Sequence, residues 1–137
     1  MVDILLLKNL LKNIDISVFT WTLDDIQAWK DTNGTEAFDK NLYFGNEFQH
    51  IISTPINLIM LLSLKAFRGD PQNITDYKEY EKSNCEIAIF IVDVWNIEIY
   101  CKDIKILDQI RKNIEKLNYD SIEDITDEND CRTRFSL

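Results

Sequence analysis

Glycine and proline are scarce in this chain of 137 residues, with 3 and 2 copies. Gly34, Gly45 and Gly69 show none of the spacings of a Walker loop or a dinucleotide fingerprint, so no glycine-rich turn is there to present backbone amides to a nucleotide phosphate. Histidine occurs once, at His50, and the three cysteines, Cys85, Cys101 and Cys131, lie far apart with no C-x-x-C pair. A zinc site needs three or four clustered nitrogen or sulfur ligands, which this inventory does not place at neighbouring positions. No cofactor and no metal are expected. An odd number of dispersed cysteines also argues against a disulfide framework and for reduced thiols in a cytoplasmic setting. Long apolar runs are missing too: the opening run Ile4, Leu5, Leu6 and Leu7 is bounded by Asp3 and Lys8, with Lys12 soon after, and is too short for a membrane span. With no Pro/Ser/Gly-rich linker and no internal repeat, residues 1–137 read as one α+β domain.

Basic residues are in the minority, 15 Lys and Arg against 24 Asp and Glu, for a formal charge of −9. Phosphate backbones and anionic lipid surfaces repel such a chain, which excludes nucleic acid and membranes as expected partners and favours a basic protein. The charge is uneven, because residues 70–137 hold 16 acids and 9 bases. It peaks at Asp120, Glu123, Asp124, Asp127, Glu128 and Asp130, six acids with no base among them. That spacing lacks the glycine and the final glutamate of a calcium-binding EF-hand loop, so it reads as a solvated face or as a docking surface.

What the chain does have is isoleucine, 20 copies, and a clear periodicity. Ile4, Leu7, Leu10 and Leu11 predict an opening amphipathic helix, and the β-branched and aromatic residues from Ile16 to Thr22 predict a strand. Leu23 to Trp29 reads as one or two helical turns. The segments Leu42 to Ile52 and Ile56 to Phe67, parted by Ser53-Thr54-Pro55, read as a hairpin of two strands. A short helix is predicted from Thr75 to Glu81. Ile87 to Val92 is a continuous apolar run of the kind buried on both faces of a sheet. Asn96 is expected in a turn before the alternating strand Ile97 to Cys101. Asp103 then caps a helix in which Ile104, Leu107, Ile110, Ile114 and Leu117 face the sheet. Ser121 to Thr126 and Arg132 to Leu137 could add short edge strands. The order of elements points to an α+β fold, an antiparallel or mixed sheet packed against two or three helices.

For nucleophilic catalysis a thiol needs a base beside it, and His50 offers the one imidazole. The simpler reading makes Cys85 and Cys101 small apolar strand residues and His50 a strand residue with a polar neighbour. The pair Asp24 and Asp25 carries little information in so acidic a chain. Asp93, at the end of the buried run, caps a turn or marks a site at a strand end. Trp21 and Trp29 read as core, whereas Trp95, between a buried strand and its turn, reads as an exposed interface anchor.

The stretches Ser83-Asn84-Cys85 to Asp93, Ile99-Tyr100-Cys101-Lys102-Asp103 and Thr126-Asp127-Glu128-Asn129-Asp130-Cys131-Arg132-Thr133 resemble a family of short, uncharacterised proteins of spore-forming low-GC Gram-positive bacteria. The resemblance covers the C-terminal half; it implies a bacterial cytoplasmic setting and supplies no catalytic residue. The expectation is therefore a non-catalytic acidic interaction module, of the kind of an immunity protein that masks a basic toxin. Its partner-binding residues would be Trp95, Asp120, Glu123, Asp124, Asp127, Glu128 and Asp130. A homo-oligomeric structural or regulatory domain is the alternative.

Overall fold

In a computed structural model, which describes residues 4–93, 96–117, 135 and 137, the chain is an α+β protein built on a five-stranded antiparallel sheet. The strands are β1 (Thr20–Trp29), β2 (Leu42–Phe44), β3 (Leu58–Phe67), β4 (Cys85–Val92) and β5 (Asn96–Cys101), in the order β2-β1-β3-β4-β5. Helices α1 (Leu6–Leu10), α2 (Gly45–Ile52) and α4 (Ile104–Glu115) contribute to one core, while α3 (Tyr77–Lys82) places Tyr80 in a second, smaller one.

Alternation along the strands creates the two cores, because successive side chains point to opposite faces. Leu62, Leu64 and Ala66 of β3 and Ile87, Ile89 and Ile91 of β4 line the larger one, together with Trp21, Leu23 and Phe48. Phe67, Cys85, Ala88, Phe90 and Tyr100 line the other. The run Cys85–Val92 lies between β3 and β5; Ile87 to Ile91 are buried on both faces, as composition predicts, whereas Val92, expected with them, is 37% exposed at the strand end.

Four expected elements differ in the structure. Ile16–Val18 forms a 3-10 turn, with Ser17 N–H donating to Asp15 Oδ1, and the strand starts only at Thr20. Leu23 to Trp29 is not helical but continues β1 past an irregularity: between Asp24 and Gln27 the strand has one residue more than its partner segment on β3. Residues 45–52 are helix α2, begun by Glu47, whose Oε1 accepts from Phe44 N–H at 3.2 Å, so no hairpin links 42–52 to β3. β3 instead pairs with β1 and β4. Asn96 is not in a turn but opens β5 opposite Val92.

Helix α4 begins at Ile104 with Asp103 Oδ1 accepting from Lys105 N–H at 2.8 Å. Its buried stripe is shifted from the expected one. Ile104 stands 73% exposed above the sheet, and Ile106, Ile110, Asn113, Ile114 and Leu117 face inward. Asn113 is tolerated there because its amide donates to the carbonyls of Leu10 and Lys12, both at 2.8 Å, closing the end of α1. Trp21 is core, as expected, whereas Trp29 is only half buried. The expected edge strand at Ser121 to Thr126 lies outside the described residues, and Phe135 and Leu137 are not in a strand.

Candidate functional site

The residues singled out for partner binding, Trp95, Asp120, Glu123, Asp124, Asp127, Glu128 and Asp130, all lie outside the described residues, as does Cys131. The positions flanking the acidic stretch are described, and they belong to different cores. Leu117 packs against the larger one, and Phe135, 1% exposed, sits in the smaller.

Cys85, buried on β4, and Cys101, half buried on β5, donate to the carbonyls of Ile87 and Asp103. Burial pushes both thiols up from 9.0 to about 11, so neither is a ready nucleophile at neutral pH. His50 is not a strand residue: it is exposed on α2. Asp93 is an exposed residue in the left-handed region, its N–H donating to Met60 O at 2.7 Å, so its carboxylate needs no buried partner. Among the described residues no group of three or more His, Cys, Asp and Glu is arranged to hold a metal ion.

Both thiols ionise later in the folded chain than in the unfolded one. Their stabilising contribution is therefore intact below about pH 9 and declines as pH rises from there towards 11. In a Cys131→Ser background, iodoacetamide at pH 7.5 should label the native protein far more slowly than the urea-unfolded one. The urea midpoint should fall between pH 9 and 11; a native labelling rate equal to the unfolded rate would contradict the burial of both thiols.

Sequence reasoning passed over the cluster that the fold does assemble. In a regular strand Asp24 and Asp25 would point to opposite faces, but Asp25 has φ +54°, a conformation costing an ordinary residue roughly 1–2 kcal/mol and tolerated best by Gly, Asn and Asp. The extra residue sends both carboxylates to the face of the smaller core. There Asp25 Oδ2 accepts from Ser63 Oγ at 2.8 Å, and Asp24 Oδ2 lies 3.9 Å from Lys65 Nζ. Ser63 is fully buried and the Lys65 side chain is 7% exposed, both on inner strand β3. The Lys65 ammonium stands 5.6 Å from the centre of the Phe90 ring and 5.7 Å from that of Phe135, so ring faces replace part of its lost hydration. Beside them Tyr80 and Tyr100 complete an aromatic wall, and burial raises the Tyr80 phenol well above its ordinary value. Chemically the cluster combines buried aromatic rings, one buried cation and two carboxylates at its edge.

A second feature is an open depression of about 540 Å³ lined by Ile26, Phe38, Asp39, Lys40, Asn41 and Leu42. Its polar groups serve the loop itself. Tyr43 donates to Asp39 Oδ1 at 2.6 Å and accepts from the N–H groups of Asp39 and Lys40, and Lys40 pairs with Glu47 at 2.6 Å. Burial, seconded by Asp39, lifts the Tyr43 phenol to about 12.

The fold and this cluster define a two-core antiparallel α+β protein with a buried polar and aromatic cluster on one face of its sheet. The chain belongs to a family described as a protein of unknown function (DUF2691), whose model matches residues 4–136. The match includes the N-terminal half, so the likeness is not confined to the C-terminal part. An uncharacterised protein of Bacillus subtilis (strain 168), YncE, is 27% identical over 137 residues, covering 96% of this chain and 90% of that protein. No solved structure matches the chain significantly. No helix among the described residues is long and apolar enough to cross a membrane.

Proposed function

We propose that this chain is a non-catalytic acidic interaction protein of the bacterial cytoplasm, in spore-forming low-GC Gram-positive species. It docks a basic protein in the manner of an immunity-type inhibitor of a toxin. The observation that supports this reading best is the anchoring on either side of the acidic stretch. Residues 118–134 contain six acids and join Leu117 in one core to Phe135 in the other. Six acids gathered between residues 120 and 130, in a chain of charge −9, steer basic proteins toward this part of the sequence. The same charge disfavours nucleic acid and anionic membranes.

The test is capture from an extract of the source cell, using the wild-type chain and an Asp124→Lys/Asp127→Lys variant as baits at low and high salt. A basic protein should be held by the wild type at low salt and released at high salt. The variant should retain it at least about ten-fold less, with its own urea midpoint unchanged. Equal capture by both baits would remove the acidic stretch from the binding surface.

A homo-oligomeric structural or regulatory role is favoured by a different feature. β2 is an edge strand of three residues in which Phe44 is 64% and Leu42 39% exposed, a surface that a second copy could cover. A monomer by light scattering at high concentration would discard it.

A further inference from the structure

Phe135 and Leu137 lie on the smaller core as a ligand lies in a site. The Phe135 ring stacks on Tyr80 at 4.8 Å and meets Phe90 and Tyr100 edge-on, each at 5.0 Å. Its backbone N–H donates to Thr75 O at 3.1 Å, and two residues on, Leu137 N–H donates to Asp25 Oδ2, also at 3.1 Å. Neither residue belongs to a helix or strand. Beneath them lie Lys65, under the Phe135 ring, and Ser63, bonded to the carboxylate that holds Leu137. An ordinary apolar core does not put a lysine and a serine–aspartate pair under a buried phenylalanine. Aromatic walls with a few convergent polar groups are the lining of a binding site.

We propose that this face of the sheet is a peptide-binding site that Phe135 and Leu137 of the same chain fill in cis. Its partner is a protein segment carrying an aromatic side chain followed, two residues later, by an apolar residue. The aromatic ring enters between Tyr80, Phe90 and Tyr100 above Lys65. The N–H groups of the segment go to Thr75 O and to Asp25, whose left-handed conformation aims its carboxylate at that position. The inference goes beyond the acidic-docking reading and its lining residues lie outside 118–134, so the Asp124→Lys/Asp127→Lys baits and the peptide titration test the two readings separately.

The probe is a fluorescent peptide with the sequence of residues 132–137, titrated by anisotropy against the full-length chain and its Phe135→Ala variant. The variant should bind at least ten-fold more tightly than the wild type, whose site is filled. A peptide with alanine in place of phenylalanine should lose at least ten-fold, although it keeps both arginines; the loss separates ring insertion from attraction to an acidic protein. Asp25→Ala, added to Phe135→Ala, should weaken binding several-fold. Should Phe135→Ala fail to fold, the wild type carrying 4-fluorophenylalanine at 135 decides. Excess unlabelled peptide should move its fluorine resonance toward that of the unfolded chain, and a resonance fixed up to millimolar peptide overturns the proposal. Equal binding of both peptides overturns it as well. A wild-type dimer that Phe135→Ala dissolves would make the occupant a second copy instead of a partner.

Discussion

Replacing Trp21 by alanine is expected to cost about 3–5 kcal/mol, the usual range for removing a large aromatic from a packed core. Trp21 is 0% exposed near the start of β1. Its ring lies on that of Phe48 from α2 at 4.5 Å and 17°, and meets Phe19 edge-on at 6.1 Å. Its indole N–H donates to Ile16 O at 3.0 Å. The tryptophan thus ties together the 3-10 turn, the sheet and a helix. Alanine leaves a cavity between β1 and α2 and removes the indole donor from Ile16 O, which keeps only the longer bond from Phe19 N–H at 3.4 Å. Against a total stability of about 5–15 kcal/mol for a domain, the loss places the variant near unfolding. Urea denaturation should show a lower midpoint with an unchanged slope. Trp21→Phe, which keeps most of the ring contact and loses the hydrogen bond, should cost about 1–2 kcal/mol. Less than about 1 kcal/mol for the alanine variant would contradict the packing of Trp21 between β1 and α2.

Where a sequence signal is local and unbroken it survives into the fold. Ile87 to Val92 announces an inner strand because β-branched residues without a polar interruption have nowhere else to go. The signal fails where one residue resets the period. Asp25 in the left-handed region inserts an extra step, so Leu23 to Trp29 no longer alternates and imitates a helix. In α2 the helical cues were present, Glu47 in the first turn and Phe48, Ile51 and Ile52 at helical spacing, but the preceding strand residues Leu42 to Phe44 masked the boundary. The displacement of the α4 stripe has a long-range origin. Asn113 reads as solvent-facing until the end of α1, a hundred residues earlier, supplies two carbonyls to its amide.

The candidate site was legible in part. Ser63 and Lys65 are polar residues two apart in the otherwise apolar Leu58–Phe67 strand, which puts both on one face, where a buried ammonium needs compensation. That pattern was available in the sequence and marks β3 as more than scaffold. Its complement was not, since Asp25 and Leu137 meet across 112 residues and Lys65 meets the Phe135 ring across 70. Charge density singles out the acidic stretch instead, a compositional signal with no geometric content of its own.

Gly45→Ala should destabilise the chain by about 3 kcal/mol or more, an exceptional effect for one added methyl group. Most glycines in helices are weak points that alanine improves by up to about 1 kcal/mol, and Gly45 is the first residue of α2. Propensity therefore predicts a gain, and sterics reverse it. A methyl at this position would lie 2.1 Å from Ser17 O and 2.4 Å from Ser17 C, both backbone atoms that no rotamer change can move aside. Relief requires α2 to back away from the 3-10 turn, which withdraws Phe48 from Trp21 and loosens the hydrogen bond from Trp21 to Ile16 O. Because the two substitutions act on one contact, their effects should not add. With Trp21→Ala already in place, Gly45→Ala should cost at least about 1 kcal/mol less than it does alone. Thermal or urea unfolding of both single variants and the double closes the cycle. A neutral or stabilising Gly45→Ala would show that α2 and the 3-10 turn are not in the close backbone contact that organises this end of the sheet.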